Sequence, residues 1–310
     1  MEPLWTVGIV NYQSSVYLRW QLKILFEANP PRSFRLILVD NSRPPERETL
    51  ERLVAPYQSR FGNVELVFHT PAEGPASIQH GEALELIRAK VRTRYLLVHD
   101  PDFFWVQNRY LRTLGRLLDA GALAVGAPYP EKVGIGDPWF PSAFGCAYRT
   151  AALAGLDFVA SVTPATIQES LARWPQAEGY GFTFDVGWRI REALSAKPHL
   201  SFEQRIPGEL NRAIGPHSFV TISREYLHAG RTIAFHLFRG TFTGLWTPAF
   251  ADPETEIPRQ WLETRNRFGE HFYACVLRDR ERSTLTGRLG ELLRRMVFRT
   301  HDAKRPRAER

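Results

Sequence analysis

The sequence predicts an α/β layer sandwich around a mostly parallel sheet. Three observations carry that expectation. Short β-branched and aliphatic runs alternate with amphipathic stretches from the start of the chain to about residue 130. The connections between them are short. No repeat or low-complexity block interrupts the rhythm.

The elements follow in order. "WTVGIVNY" reads as a strand at about 5–10. "SSVYLRWQLKILFEA" places Val16, Leu18, Leu22, Leu25 and Phe26 near helical spacing, with serines at its head as caps and "NPP" as its stop. "FRLILVDNS" is a second buried strand, "PERETLERLVAPYQSRF" a second helix and "NVELVFH" a third strand. "PASIQHGEALELIRAKV" is a third helix and "RYLLVHD" a fourth strand. "NRYLRTLGRLLDAG" is a fourth helix, and "ALAVGAPY" a fifth strand. From about 130 the pattern weakens into the Gly/Pro/aromatic stretch "PEKVGIGDPWFPSAFGCAYR". Two helical segments are expected at about 258–280 and 284–299. No linker separates independent domains, so 1–250 is expected to form one unit with halves 1–130 and 131–250. A basic helical extension follows at 251–310.

Composition bounds the function. Of 310 residues, 44% are hydrophobic and 24% charged, the balance of a globular protein with a sizeable core. Cys146 and Cys275 are too few and too distant for a disulfide framework or a cysteine metal site, which points to a reducing, cytoplasmic setting. "MEPLWTVGIVNY" lacks the basic start and apolar core of a signal peptide. No stretch reaches the about 18 uninterrupted apolar residues of a membrane span. The net charge is +7, with much of the excess in "RDRERSTLTGRLGELLRRMVFRTHDAKRPRAER". Charge alone fits an anionic membrane surface, a nucleic acid or an acidic partner. No nucleic-acid-binding module accompanies it, so a nucleic-acid partner is not expected.

Three predicted strands end in polar residues: Asn11, Asp40 with Asn41, and Asp100. In a parallel sheet all three lie on the carboxyl rim, where open α/β sheets bind ligands. A single strand-end aspartate also serves as a turn former or helix cap. "LLVHDPDFFW" is harder to explain that way. Residues i and i+2 of an extended segment point to one side, and Pro101 biases Asp100 towards extension. Two converging carboxylates repel unless a cation sits between them, and hard oxygen ligands suit Mg2+ or Mn2+. The bland alternative is a solvated Asp-Pro-Asp turn. The chain has no phosphate-binding P-loop, no G-x-G-x-x-G after the first strand and no H-E-x-x-H. A phosphate-bearing ligand held through a metal fits this pattern better than a nicotinamide cofactor.

Taken together, "VGIVNYQ", "LILVDNS" and "YLLVHDPDFFW" resemble nucleotide-sugar-dependent glycosyltransferases of the GT-A fold, family 2 above all. The resemblance covers about 5–150. It continues loosely to about 245 through "SAFGCAYRTAAL", "FDVGWRIREA" and "AFHLFRGT". It implies a Rossmann-related, three-layer GT-A-like domain over 1–250, with 1–130 binding nucleotide and 131–250 facing the acceptor. Val10, Asn11 and Tyr12 would line base and ribose, and Asp40 would hydrogen-bond the base. Asp102 would bind the metal, with Asp100 on the ribose or on the metal. His236 matches a late strand-borne histidine that helps hold metal or diphosphate, although a histidine satisfied inside a strand reads the same way. Gly74 would let the backbone approach the ligand, with His80 further along the third helix.

The resemblance implies an inverting displacement on a nucleoside-diphosphate sugar, a UDP-sugar first among them, with a glycan or lipid-linked acceptor as in polysaccharide biosynthesis. Many relatives carry an E-D-x-D cluster before a glycine-aromatic-arginine helix. Here "GFTFDVGWRIR" keeps Asp185 but has Phe182 and Thr183 at the first two acid positions. Asp185 is therefore the candidate base, with helix capping as its plainer role and Glu178, Glu169 and Asp137 as alternatives. Trp139 would stack on an acceptor sugar unless it is core. "STLTGRLGELLRRMVFR" allows an in-plane helix at the inner membrane face, or a terminal helix packed on the body. The rival class is a non-catalytic nucleotide-sugar or glycan-binding protein on the same fold.

Overall fold

Leu36 and Leu38 join one apolar cluster, Ile37 and Val39 another, and all four are fully buried. A strand that alternates between two cores must be covered on both faces, which is why it reads as a continuous apolar run. The structure, a computed structural model, describes residues 2–71, 73, 75–129, 135–159, 161–175, 184–205 and 224–236.

The elements are β1 (Trp5–Asn11), α1 (Ser15–Ala28), β2 (Phe34–Asp40), α2 (Pro44–Phe61), β3 (Val64–Phe68), α3 (Ala76–Lys90), β4 (Tyr95–His99) and β5 (Phe103–Trp105). They continue with α4 (Tyr110–Asp119), β6 (Ala124–Gly126), β7 (Gly145–Arg149), α5 (Pro164–Arg173) and α6 (Trp188–Leu194). β8 (His199–Ser201), β9 (Glu203–Arg205), β10 (Arg224–His228) and β11 (Arg231–His236) complete the described chain. The main sheet has the order β3-β2-β1-β4-β7-β6-β8, and only β7 runs against its neighbours. A second, antiparallel sheet has the order β5-β11-β10-β9.

Helical spacing chooses which face each helix covers. Leu18, Leu22 and Leu25 of α1 are buried in the same cluster as Leu50 and Val54 of α2 and Leu111, Leu114 and Leu118 of α4. Ala83, Leu84 and Ile87 of α3, with Ile190 and Leu194 of α6, cover the opposite face. Each such aliphatic side chain contributes about 1.5–3 kcal/mol on burial. α2 starts on Pro44 and Pro45, which need no N–H partner there, and stops at Gly62 with φ of 67°.

The α/β sandwich around a mostly parallel sheet is the architecture the alternation predicts. Three details differ from the sequence reading. The fifth strand is shorter than "ALAVGAPY", because Pro128 has no N–H to extend the ladder. β7 arises inside the stretch where the rhythm weakened, and lies antiparallel between β4 and β6. β5 forms directly after the D-x-D and leaves the main sheet for the second one. Strands from both sides of residue 130 thus share one sheet. Among the described residues no helix is long and apolar enough to cross a membrane. The C-terminal extension and both helices expected in it lie outside the described residues.

Candidate functional site

β1, β2, β4 and β6 all run in the same direction, so Asn11, Asp40, Asp100 and the segment after Gly126 reach one rim. From β1 the chain steps outward to β2 and β3 and then crosses back through α3 to β4 on the other side of β1, the switch point where α/β sheets open a crevice. The D-x-D sits there. Phe103 N donates to Asp100 O at 3.1 Å, closing a turn with Pro101 at its second position. β5 then begins at once, held by a hydrogen bond from the Gln21 side-chain amide to Phe103 O.

The pairing of β5 with β11 sets His236 opposite Phe103. His236 Nε2 comes to 3.3 Å from Asp102 Oδ1, and the imidazole lies between the Phe103 and Phe144 rings at 5.3 and 4.6 Å. Phe103 in turn needs Gly145 beneath it, since a Cβ at that position would collide with its ring. Asp100, Asp102 and His236 each offer an atom within 4.8 Å of the others.

This set fits a divalent cation on its own chemistry. Two carboxylates and one imidazole are donors that Mn2+ and Mg2+ accept. Asp100 Oδ1 is buried and accepts no hydrogen bond among the described residues, with His80 Nε2 3.6 Å away. Burial first, and then the charge of Asp102, push the Asp100 carboxyl up to about 7, against a lowering pull from His236. His99, buried beside the site with Nδ1 3.2 Å from Asp100 O, is pushed down to about 4 by burial.

A pH dependence follows with a definite sign. Between the ordinary aspartate range and about pH 7 the folded chain holds a proton that the unfolded chain has released. The ion-free protein therefore loses stability as pH rises through that interval. A bound cation must displace the same proton. Apparent Mn2+ affinity is expected to fall about tenfold per pH unit below about 7 and to level off above it. Calorimetry at several pH values, in two buffers of different ionisation enthalpy, reads both the slope and the released proton. A flat affinity between pH 5.5 and 8 would contradict it.

Asp185 enters from the other half, ahead of α6. Its Oδ2 accepts the Tyr129 hydroxyl at 2.5 Å and its Oδ1 accepts Val186 N at 2.8 Å. Its backbone oxygen takes Trp188 N at 3.0 Å, so the residue also turns the chain into the helix. The Asp185 charge acts on Asp100 and on His80. His80 is lowered by burial, while Asp185 and Asp102 pull it upward.

Asn11 and Asp40 form an interior lock. Asp40 Oδ1 accepts from Asn11 Nδ2 at 2.8 Å and from Ser42 Oγ at 2.6 Å, and Ser42 Oγ accepts Gln13 N at 2.7 Å. Val10, Asn11 and Asp40 are buried, whereas Tyr12 is 43% exposed at the rim. Arg47 Nε stands 4.0 Å from Asp40 Oδ2. Gly74 lies outside the described residues, as do Glu178 and residues 237–241 of the late motif. Asp137 is engaged by His199 at 3.1 Å and by Trp139 N at 2.8 Å, and Glu169 is exposed on α5. The Trp139–Phe140 pair splits: Phe140 is core, while Trp139 is 44% exposed. Trp139 lines a groove of about 620 Å3 with Pro128, Phe202, Gln204 and Arg224.

The sequence matches no protein-family model and no curated protein. Solved structures are similar in part. They include S. aureus TarS 1-349, at 17% identity over 55% of this chain and 54% of that one, with a TM-score of 0.40. TarS 1-349 in complex with UDP-GlcNAc matches at 17% identity over 50% of this chain and 47% of that one, with a TM-score of 0.36. The mannosyltransferase PcManGT from Pyrobaculum calidifontis, in complex with GDP-Man and Mn2+, matches at 14% identity over 96% and 81%, with a TM-score of 0.45. The chain thus spans about half the length of the TarS 1-349 chains.

Two residues at the site escaped the sequence reading. Tyr129 follows β6, and its strand-end position was the available signal. The helix arginine that reaches this cluster is Arg191. Arg189, the arginine of "GWR", turns away to Asp157 at 2.7 Å. Arg191 is buried with its guanidinium 5.3 Å over the Tyr129 ring. Nothing local distinguishes two arginines two residues apart on a helix. The packing of α6 makes the choice.

Proposed function

We propose that the chain is a glycosyltransferase that moves a hexosyl group from a nucleoside-diphosphate sugar, a UDP-sugar first among donors, to a glycan or lipid-linked acceptor with inversion. The observation that carries this reading is the cluster of Asp100, Asp102 and His236 on the carboxyl rim, with the charge of Asp185 acting on Asp100 from the other half. Resemblance of the three strand-end motifs to GT-A family 2 enzymes supports it.

The chemistry assigns each residue a task. The acceptor oxygen bonds to the anomeric carbon as the bond from that carbon to the diphosphate oxygen breaks. The acceptor proton passes to Asp185, and the bonding pair leaves on the diphosphate. Asp100, Asp102 and His236 would hold Mn2+ or Mg2+, whose charge offsets the negative charge growing on the diphosphate. Tyr12, exposed at the end of β1, offers its ring to the nucleoside. Trp139 offers an apolar face to an acceptor sugar across the groove.

Calorimetry with UDP-, GDP- and dTDP-sugars, with and without Mn2+, tests the reading. Binding is expected only with the cation, within the about 1 μM–1 mM range of enzyme substrates. Cation-independent binding, or none, would overturn the metal-held donor. Binding without transfer or donor hydrolysis in any condition would make the chain a nucleotide-sugar-binding protein instead.

A further inference from the structure

We propose that Tyr129 and Arg191 are the positioning residues of the Asp185 carboxylate, forming a carboxylate–phenol–guanidinium relay that aims it at the acceptor. The proposal rests on the reading of Asp185 as the base.

The geometry is specific. Tyr129 donates its hydroxyl to Asp185 Oδ2 at 2.5 Å, within the range of a charge-assisted O–H···O⁻ bond. The same phenol presents its ring to Arg191, whose guanidinium lies 5.3 Å from the centroid. A cation over the ring draws electron density from the phenol and strengthens its O–H as a donor. Arg191 is only 2% exposed, and its Nε and Nη1 make no hydrogen bond among the described residues. Such a buried cation is destabilising unless an anion opposes it. Tyr129, Asp185 and Tyr148 are the groups whose charge acts on it, and Asp185 is the acid among them.

The second carboxylate oxygen is fixed independently, by Val186 N at 2.8 Å. Asp185 is thus gripped at both oxygens, by Tyr129 from the segment after β6 and by its own chain neighbour Val186. Tyr129 is itself fixed. Its carbonyl accepts Gln204 Nε2 at 3.0 Å, and its ring stands edge-on to Phe144 at 5.1 Å. Phe144 is the ring that flanks His236, so one aromatic contact chain joins the base to the metal ligands.

A double-mutant cycle tests it. Tyr129→Phe is expected to lower kcat about 10–100-fold, the scale of a misplaced catalytic group. Donor KM, cation affinity and Tm should stay near wild type. Arg191→Lys should retain more kcat than Arg191→Met. In the Asp185→Asn background, Tyr129→Phe should cost nothing further, because residues acting as a unit are not additive. An unchanged kcat in Tyr129→Phe, or an additive loss in the double variant, overturns the relay and leaves the base reading intact. Full turnover by Asp185→Asn alone overturns the base reading and the relay with it. Should the Arg191 variants fail to fold, the Tyr129–Asp185 cycle decides alone.

Discussion

Asp102→Asn is expected to lower cation-dependent transfer about 1,000-fold or more, while the ion-free protein keeps its Tm at pH 8 or gains. The activity loss corresponds to about 4 kcal/mol of transition-state stabilisation, at about 1.4 kcal/mol per tenfold. Asp102 is buried at 1% exposure and faces His236 Nε2 at 3.3 Å, so the isosteric amide keeps the packing and loses only the charge. The stability gain follows from Asp100. The Asp102 charge is one of the causes that push Asp100 up to about 7, and removing it eases ionisation of Asp100 at pH 8. Loss of function with retained or raised Tm separates a cation site from a structural carboxylate. Metal titration by calorimetry and a thermal melt without metal read the two halves. Transfer within tenfold of wild type, or a Tm fall of many degrees, would sink the assignment.

Asp185→Asn is expected to lower kcat about 1,000-fold, inside the 10²–10⁴ span of general base catalysis, with donor affinity and cation dependence preserved. The amide can still accept Val186 N on its oxygen and face the Tyr129 hydroxyl with its nitrogen, because that hydroxyl can turn to accept. The fold around α6 should therefore survive. Steady-state transfer assays paired with donor calorimetry separate the outcomes. Equal losses of kcat and donor affinity would mean that Asp185 binds donor and does not take a proton. Turnover at the wild-type rate would pass the role to another carboxylate, such as Glu178.

The two carboxylates of the D-x-D were legible because their relation is local. An apolar strand and a proline mark the place, but the two carboxylates meet through a turn closed by Phe103 N on Asp100 O and not through the period of extended chain. Asp40 was legible as a strand-end residue, but its surroundings were not. Its Oδ1 is held by Asn11 and Ser42, and Asn11 comes from the neighbouring strand in register with it. His236 stood out only through resemblance of "AFHLFRGT" to a family motif. Its place beside Asp102 depends on β5 pairing antiparallel with β11, a register between segments far apart in sequence. Tyr129 offered only its place after a strand, and Arg191 carried no local mark, since a second arginine on a helix is ordinary.

The sequence by itself determined the alternation of β1 to β4 and β6 with α1 to α4, both apolar faces of the sheet, and the row of polar strand ends. These follow from periods of two and 3.6 residues and from turn chemistry, all of which act within about a dozen residues. The tertiary structure alone decided that β7 runs antiparallel and that β5 leaves for a second sheet. It also decided that His236 joins the carboxylates and that Arg191, not Arg189, backs Tyr129 and Asp185. Those choices come from strand register and helix rotation, which are settled by burial summed over the whole core. No short stretch of chain encodes that sum.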